Sequence, residues 1–574
     1  MFPLYLDLNT KFSFSPELDT ILVQLWPSLF HLKYIVCNMR QLKKNKFVSL
    51  FRSSPLNDFL VPFRKAQNQW VARYIIIVFA LIVRCAVGIG SYSGENAPPM
   101  YGDFEAQRHW MEITTHIPIG QWYYFDLQYW GLDYPPLTAF HSWLLGKIGN
   151  LIDSSWFALN VSRGLETPDL KSYMRITALF SELFLYIPAV LLFTRWMGRD
   201  YNNASTIDQT IIAAAILYQP ALIIIDHGHF QYNSVMLGFS LLALVNLLYD
   251  NLCVAAILFT LAISFKQMAL YYAPIFFFYL LRISLRSPKT HSLRILRLVS
   301  VACSVIATLA LEFLPLVLFG GFGQIKQCLV RLFPFERGLF EDKVANFWCA
   351  TNVLIKYKNI FTTSQLKLIS LAFTLIGIAP SCGLIFFKPR KELLPWCLAS
   401  CSMAFYLFSF QVHEKSILLP WMPITLLLNE VDSDVISMVC WFFNVALFSM
   451  WPLLKRDNLV IQYAVLGILS NWLMGNLSWI RKALRAIKLP VHYRNLATPV
   501  LPHNLFWRVI IVGSYIAGFL LQFVDFFTEP PKSLPHLWII GNVELSFCSF
   551  ALFWLWCTYR MFTLTTNDKK LKTQ

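Results

Sequence analysis

The sequence predicts an all-α polytopic membrane protein, with about fourteen transmembrane helices and amphipathic helices in its loops. Three observations predict the class. Of 574 residues, 56% are hydrophobic and only 14% charged, where soluble domains carry roughly a quarter. The mean hydropathy is +0.52. The apolar residues fall in runs near the ~20 residues that a helix needs to cross a bilayer core, and 49 Phe and 19 Trp suit lipid contact and its interfaces.

In chain order the runs lie near 72–90, 174–194, 209–225, 234–249, 252–265, 267–281 and 294–319, then near 366–386, 395–410, 416–429, 434–453, 459–479, 507–525 and 537–562. The formal net charge of +16 does not mark a nucleic-acid binder. Its basic residues sit in short loops between apolar runs, such as RISLRSPKTHSLRILR (282–297) and RKALRAIK (481–488), which is the orientation signal of a membrane protein. Lys43, Lys44, Lys46, Arg52, Arg64 and Lys65 precede the first run and place that end in the cytosol. Alternation then puts 195–199, 282–297, 388–391, 481–494 and the tail 563–574 on the cytosolic side. The opposite, lumenal side receives loop 91–172, DHGHFQYN (226–233), Lys266, the 320–365 loop and QVHEK (411–415).

Residues 1–38 read as an upstream extension or disordered arm ahead of Met39, with 39–71 as a cytosolic segment. Lys570 and Lys572 fit a K-x-K-x-x dilysine address, which favours the endoplasmic reticulum. Twelve cysteines are scattered without a CxxC pair, so no zinc or redox motif is expected. Cys328 and Cys349 both fall in the 320–365 loop, where an oxidising lumen would permit a disulfide and two packing thiols are the other reading. Asn160-Val-Ser is a possible glycosylation sequon.

Nearly all concentrated polar chemistry lies on the lumenal side. In YGDFEAQRHW (101–110) Asp103 follows a glycine and precedes good helix formers, so it reads as a helix N-cap, as a reacting carboxylate, or as both. Glu105, Arg108 and His109 follow within the same turns. In DLQYWGLDYPPLTAFHSW (126–143), Asp133 and Tyr134 combine a turn with rings that suit a sugar face. In DHGHFQYN, Asp226, His227, His229 and Gln231 offer hydrogen bonds to a sugar or phosphate; no complete ligand set for a metal is designated. Lys266, His413 and Lys415 stand at borders of apolar runs, where ionisable groups are costly unless used or paired. Arg331 and Arg337 are basic residues in a lumenal loop, against the orientation rule, and allow an anion site.

YGDFEAQRHWMEIT (101–114), WYYFDLQYWGLDYPPLTAFHS (122–142), DHGHFQYNSVMLG (226–238), FKQMALYYAP (265–274), FEDKVANFWC (340–349) and FQVHEK (410–415) resemble the dolichyl-phosphate-glucose-dependent glucosyltransferases of the endoplasmic reticulum, which belong to the GT-C class. The resemblance spans about residues 55–562. It implies a conserved helical module, 72–320, with its catalytic loop at 91–172, and a more variable module, 321–562. The wording of QYWGLDYPP and DHGHFQYN resembles the enzyme that adds the first glucose. The implied reaction moves glucose from dolichyl phosphate glucose to the nine-mannose dolichyl-pyrophosphate oligosaccharide, with inversion to an α-1,3 bond. The family's base carries over to Asp103. Glu105, Arg108, His109, Asp133, Tyr134, Asp226, His227, His229 and Gln231 are then expected around the sugars, with Glu105, Arg108 and His109 also expected to hold Asp103 in place, and Lys266, His413, Lys415, Arg331 and Arg337 around the phosphate. No metal and no cofactor besides the donor is expected, and the chain is expected to act as a monomer. The second-glucose enzyme of the same pathway, and a polytopic transporter or flippase, are the alternatives.

Overall fold

A computed structural model describes residues 54–286, 291–333, 343–430, 432–477 and 501–572, apart from 66, 68 and 203. All regular structure among the described residues is helical. Residues 1–38, the 481–494 loop and Arg337 lie outside the described residues, as do the side chains of Lys570 and Lys572.

Among the described residues, seven helices are long and apolar enough to cross a membrane: Val71–Gly88, Pro168–Tyr201, Gln267–Arg286, Ser292–Leu332, Thr363–Phe387, Leu505–Phe527 and Leu537–Thr565. An eighth is the pair Thr206–Leu217 and Pro220–Phe230, bent by 49°. Other expected spans form shorter apolar helices, Asn233–Leu248, Leu252–Phe265, Ser433–Ser449 and Val460–Leu473. At ~1.5 Å per residue the 16 residues of Asn233–Leu248 reach about 24 Å, less than the ~30 Å core. Inside the bundle a short helix is shielded by its neighbours, so it need not match the bilayer.

Burial sorts these helices. Thr206–Leu217 is wholly apolar from Ile211 onward and every residue from Ile207 to Leu217 is buried, as expected of a helix at the centre of a bundle. Leu505–Phe527 is as apolar, yet only 11% of its most apolar window is buried, so it lies on the lipid-facing rim. Starts are written locally: Ser205 with Asp208 and Thr362 with Gln365 form capping boxes.

One expectation is corrected here. The run at 294–319 does not end in a loop at 320. The helix continues to Leu332 across a kink at Gly321, whose φ is 70°. The reason is packing: Leu316, Cys328 and Leu332 bury against Trp110, Ile113, Trp122, Tyr123 and Leu132 of the 91–172 loop. Gln324 and Gln327 also donate to the carbonyls of Ile119 and Tyr123, each at 3.1 Å.

Polar contacts gather at two ends of the bundle. At one end Arg64 pairs with Asp208 (2.5 Å) and Lys391 with Asp250 (2.6 Å); Asn202 reaches the Asn429 carbonyl (2.7 Å) and Arg560 pairs with Asp432. These segments are the ones that alternation groups on one side. The other end holds the 91–172 loop.

Between the ends lies a buried charge cluster. The Arg84 guanidinium makes two 2.6 Å bonds to the Glu182 carboxylate and a third, of 3.1 Å, to the Leu217 carbonyl. His227 Nε2 sits 2.6 Å from Glu182. Arg84 and Glu182 are at most 1% exposed. The cluster ties three helices to the DHGHF segment, which fixes where that segment emerges. Arg84→Met should cost about 3–5 kcal/mol by leaving a buried carboxylate without its partner, read as a lowered thermal transition in detergent. Adding Glu182→Leu should recover part of it; no recovery would mean that the pair is not the source.

Candidate active site

The approach to the loop helix Gly102–His116 is unusual. Tyr101 and Gly102 have φ of 54° and 65°, a left-handed region that only glycine enters without cost. A Cβ on Gly102 would lie 2.7 Å from the Ser93 carbonyl oxygen, so the close approach excludes any side chain there. Ser93 in turn donates its amide to the His229 carbonyl (3.0 Å), and its hydroxyl accepts from the Asp103 amide (3.3 Å). The turn thereby registers Asp103 against the DHGHF segment.

Asp103 is not the N-cap. That position is Tyr101, without a capping side chain, and Asp103 lies just inside the first turn. Its carboxylate reaches out to two other parts of the chain. Oδ2 lies 2.9 Å from His229 Nε2 and 2.5 Å from Gln231 Nε2, and the Lys415 ammonium donates to the same oxygen. Behind these, Lys266 donates to Gln231 Oε1 (2.6 Å) and Asn233 Oδ1 (2.9 Å), with its ammonium 4.7 Å from the Tyr134 ring centre. On the far side of His229, Nδ1 bonds to the carboxylate of Asp457. Residues from 103 to 457 thus form one connected network.

The electrostatics favour an ionised carboxylate. Burial pushes the Asp103 carboxyl up, but the Lys415 ammonium and the His229 contacts outweigh burial and hold it well below the usual carboxylate range. Its position at a helix start adds the same sign. The side chain remains 23% exposed, so an incoming hydroxyl can reach it.

The rest of the motif braces this carboxylate. Arg108 makes two bonds to Glu105, of 2.6 and 2.7 Å, one to Glu112 (2.8 Å), one to the Ser162 hydroxyl (2.6 Å) and one to the Trp156 carbonyl (3.2 Å). Burial raises the Glu112 carboxyl, but His109 and Arg108 prevail and bring it down to about 2. His109 Nδ1 lies 3.1 Å from Glu112, and its Nε2 lies 3.0 Å from Asp126, out of line for a hydrogen bond. Glu105, Arg108 and His109 are at most 2% exposed, which leaves no surface for a sugar. Asp226 is likewise buried, accepting from Asn233 (2.9 Å) and the Ser234 amide (2.6 Å), and His227 belongs to the Glu182 cluster. These five expected substrate contacts are internal in this structure, because a charge among apolar helices must be paired within the protein.

Asp133, Tyr134 and His413 are half-buried, and His413 begins the short helical turn that carries Lys415. Arg331 spends its Nε and one Nη on the Leu132 and Gly131 carbonyls, at 3.2 and 3.0 Å, and so staples loop to helix. Cys328 and Cys349 are not joined in a disulfide; they pack in separate apolar clusters. Among the described residues no three His, Cys, Asp or Glu side chains converge as a metal-holding group.

Ser93, Glu112, Glu182, Asn233 and Asp457 were not singled out from the sequence. Glu182 carried a signal, an acid within an apolar run. Asp457, in the turn KRDN, carried none beyond turn chemistry.

The fold is an all-helical membrane bundle with a part-exposed carboxylate held among cations at one end. The chain belongs to the ALG6, ALG8 glycosyltransferase family, whose model matches residues 80–559. It is 54% identical over 534 residues to the dolichyl pyrophosphate Man9GlcNAc2 alpha-1,3-glucosyltransferase of Saccharomyces cerevisiae, covering 91% of this chain and 97% of the relative. A probable enzyme of the same name from Schizosaccharomyces pombe is 42% identical, covering 90% and 96%. The Gallus gallus enzyme is 41% identical, covering 85% and 96%.

Gly102→Ala should lower turnover ~10²-fold by displacing Asp103 about 1 Å, with helix content by circular dichroism unchanged. Wild-type turnover in this variant would mean that the turn does not aim the carboxylate.

Proposed function

We propose that this chain transfers glucose from dolichyl phosphate glucose to the nine-mannose dolichyl-pyrophosphate oligosaccharide and forms an α-1,3 bond, the first glucose of that lipid-linked glycan. The observation that carries the reading is the Asp103 network in a chain so similar, over nearly its full length, to enzymes named for that acceptor and linkage. We place the protein in the endoplasmic reticulum membrane, with Asp103 on the lumenal side and both termini in the cytosol. Residues 72–320 serve as the GT-C module and 321–562 as the variable module; Lys415 and Asp457 bring the second module into the site.

The donor is β-linked and the product α-linked, so the anomeric carbon inverts. Inversion needs one in-line attack and one base on the acceptor side. A carboxylate with an ordinary pKa of ~3.9 does not deprotonate a sugar hydroxyl in the ground state. Asp103 takes the proton late, as the new C–O bond forms and the hydroxyl becomes acidic. The C1–O bond to phosphate breaks, and its electron pair leaves with dolichyl phosphate. Lys415, Lys266 and His413 meet that developing charge as fixed cationic or N–H donors. The ammonium of Lys415, held by Asp103 before substrates arrive, is shared with the phosphate once the donor is seated. Tyr134 and Asp133 line the approach of the sugars, while Glu105, Arg108 and His109 keep the loop helix rigid.

Asp103→Asn should abolish transfer while expression and donor binding stay near wild type; a tenth of wild-type activity would remove Asp103 as the base. The assay offers nine-mannose and singly glucosylated acceptors side by side. Transfer to the first alone is expected; transfer to the second alone would assign the chain to the second-glucose step. Activity should persist in EDTA, and loss restored by manganese would require a metal in the mechanism.

A further inference from the structure

A cavity of about 360 Å³ opens among the helices Ser433–Ser449, Trp451–Arg456, Leu505–Phe527 and Leu537–Thr565. That volume lies within the ~300–1,000 Å³ of small-molecule sites. The cavity takes no part in the Asp103 network, yet it sits at the same end of the bundle: Asp457, which directly follows Arg456, bonds to His229. Leu505–Phe527 forms its outer side, and Leu520, Phe523 and Phe526 of that helix are exposed, so bilayer lipid reaches the place from the side. Leu521, Trp538 and Ile539 give the lining its apolar walls, and tryptophan is the residue of membrane interfaces.

Three lining residues, Lys455, Arg456 and Asp525, are charged. Lys455 and Asp525 neutralise each other. Lys455 Nζ lies 3.2 Å from the Asp525 carboxylate and donates to its carbonyl at 2.7 Å, and Trp451 Nε1 donates to the same carboxylate at 2.6 Å. Arg456 is exposed and pairs with no carboxylate among the described residues. Two polar atoms of the lining residues also lack a partner within the described chain, Trp538 Nε1 and Asn542 Oδ1. Asn542 is 2% exposed, and its Nδ2 donates to the Phe448 carbonyl at 2.8 Å. A buried polar atom left unpaired is costly. The lining therefore combines one net positive charge, one N–H donor and one carbonyl acceptor with apolar walls.

We propose that this cavity is a lipid site that seats one anionic phospholipid, with the phosphate at Arg456 and the first chain carbons along Leu521 and Ile539. The chemistry of the lining selects that class. A basic group between membrane helices takes a phosphate head group, and one net positive charge matches the single negative charge of a phosphodiester. The pyrophosphate that anchors an oligosaccharide acceptor carries more charge than one guanidinium offsets. A head group with hydroxyls beyond its phosphate, as inositol has, supplies the donor that Asn542 Oδ1 lacks, and its oxygens accept from Trp538 Nε1. A sugar arm has no apolar chain to lay along Leu521 and Ile539. Because Arg456 adjoins Asp457, the bound lipid borders the segment that reaches His229 without touching the reacting atoms.

The test uses the purified full chain in nanodiscs of phosphatidylcholine containing a minor fraction of phosphatidylinositol, with retained lipids counted by native mass spectrometry. Wild type is expected to retain one phosphatidylinositol per chain in preference to phosphatidylcholine. Arg456→Gln should weaken that retention about fivefold, the loss expected for one basic residue at a lipid phosphate, and Arg456→Lys should keep most of it. Trp538→Phe, which keeps a ring and removes the N–H donor, should weaken it as well, and it reads the same cavity should Arg456→Gln not accumulate. Equal retention of the two lipids by wild type would overturn the proposal, and so would undiminished retention in both Arg456→Gln and Trp538→Phe. A third arm measures glucosyl transfer in discs of phosphatidylcholine alone, where Arg456→Gln is expected to leave KM for the oligosaccharide acceptor unchanged. A raised acceptor KM there would overturn the phospholipid assignment and give the cavity to the acceptor's anchor. The retention measurement does not depend on which sugar the chain transfers.

Discussion

The arrangement of this protein depends on keeping one carboxylate ionised, aimed and reachable at the edge of an apolar bundle. Asp103 meets that constraint with three polar partners from two other segments, His229, Gln231 and Lys415. Charge alone would not suffice, since an ion leaving water loses several kcal/mol of hydration. The network returns that hydration as directed hydrogen bonds. It also explains why distant parts of the chain end at the same place: each of the segments from Ser93 to Asp457 contributes at least one bond.

Two buried clusters serve that constraint without joining the chemistry. Arg84, Glu182 and His227 lock the DHGHF segment to three helices. Arg108, with Glu105 and Glu112, locks the loop helix to Ser162 and Trp156. Both are charged interiors in which every ion has a partner of opposite sign, which makes them costly to break and hard to rearrange. The left-handed turn at Tyr101 and Gly102 then transmits that rigidity to Asp103. Family membership says what such a scaffold does, and the geometry says how the Asp103 carboxylate is held.

Motif by motif, the sequence was informative about which segments matter and less so about what each side chain does. Asp103, His229, Gln231, Lys266 and Lys415 were named and stand together. Glu105, Arg108, His109, Asp226 and His227 were named for substrate and are buried. A polar residue in an oily chain signals function or internal pairing equally well, because both answer the same desolvation cost. Arg331 illustrates this, since its guanidinium satisfies two backbone carbonyls.

The sequence by itself determined the membrane class and the family, because bilayer thickness imposes run lengths that are a local property and the family is written in contiguous motifs. Only the tertiary structure decided that helix 291–332 runs past Gly321, that Cys328 and Cys349 stay apart, and that Asp457 stands behind His229. Those outcomes depend on contacts between residues up to 228 positions apart, and no local pattern encodes which of many possible partners a buried polar group will find.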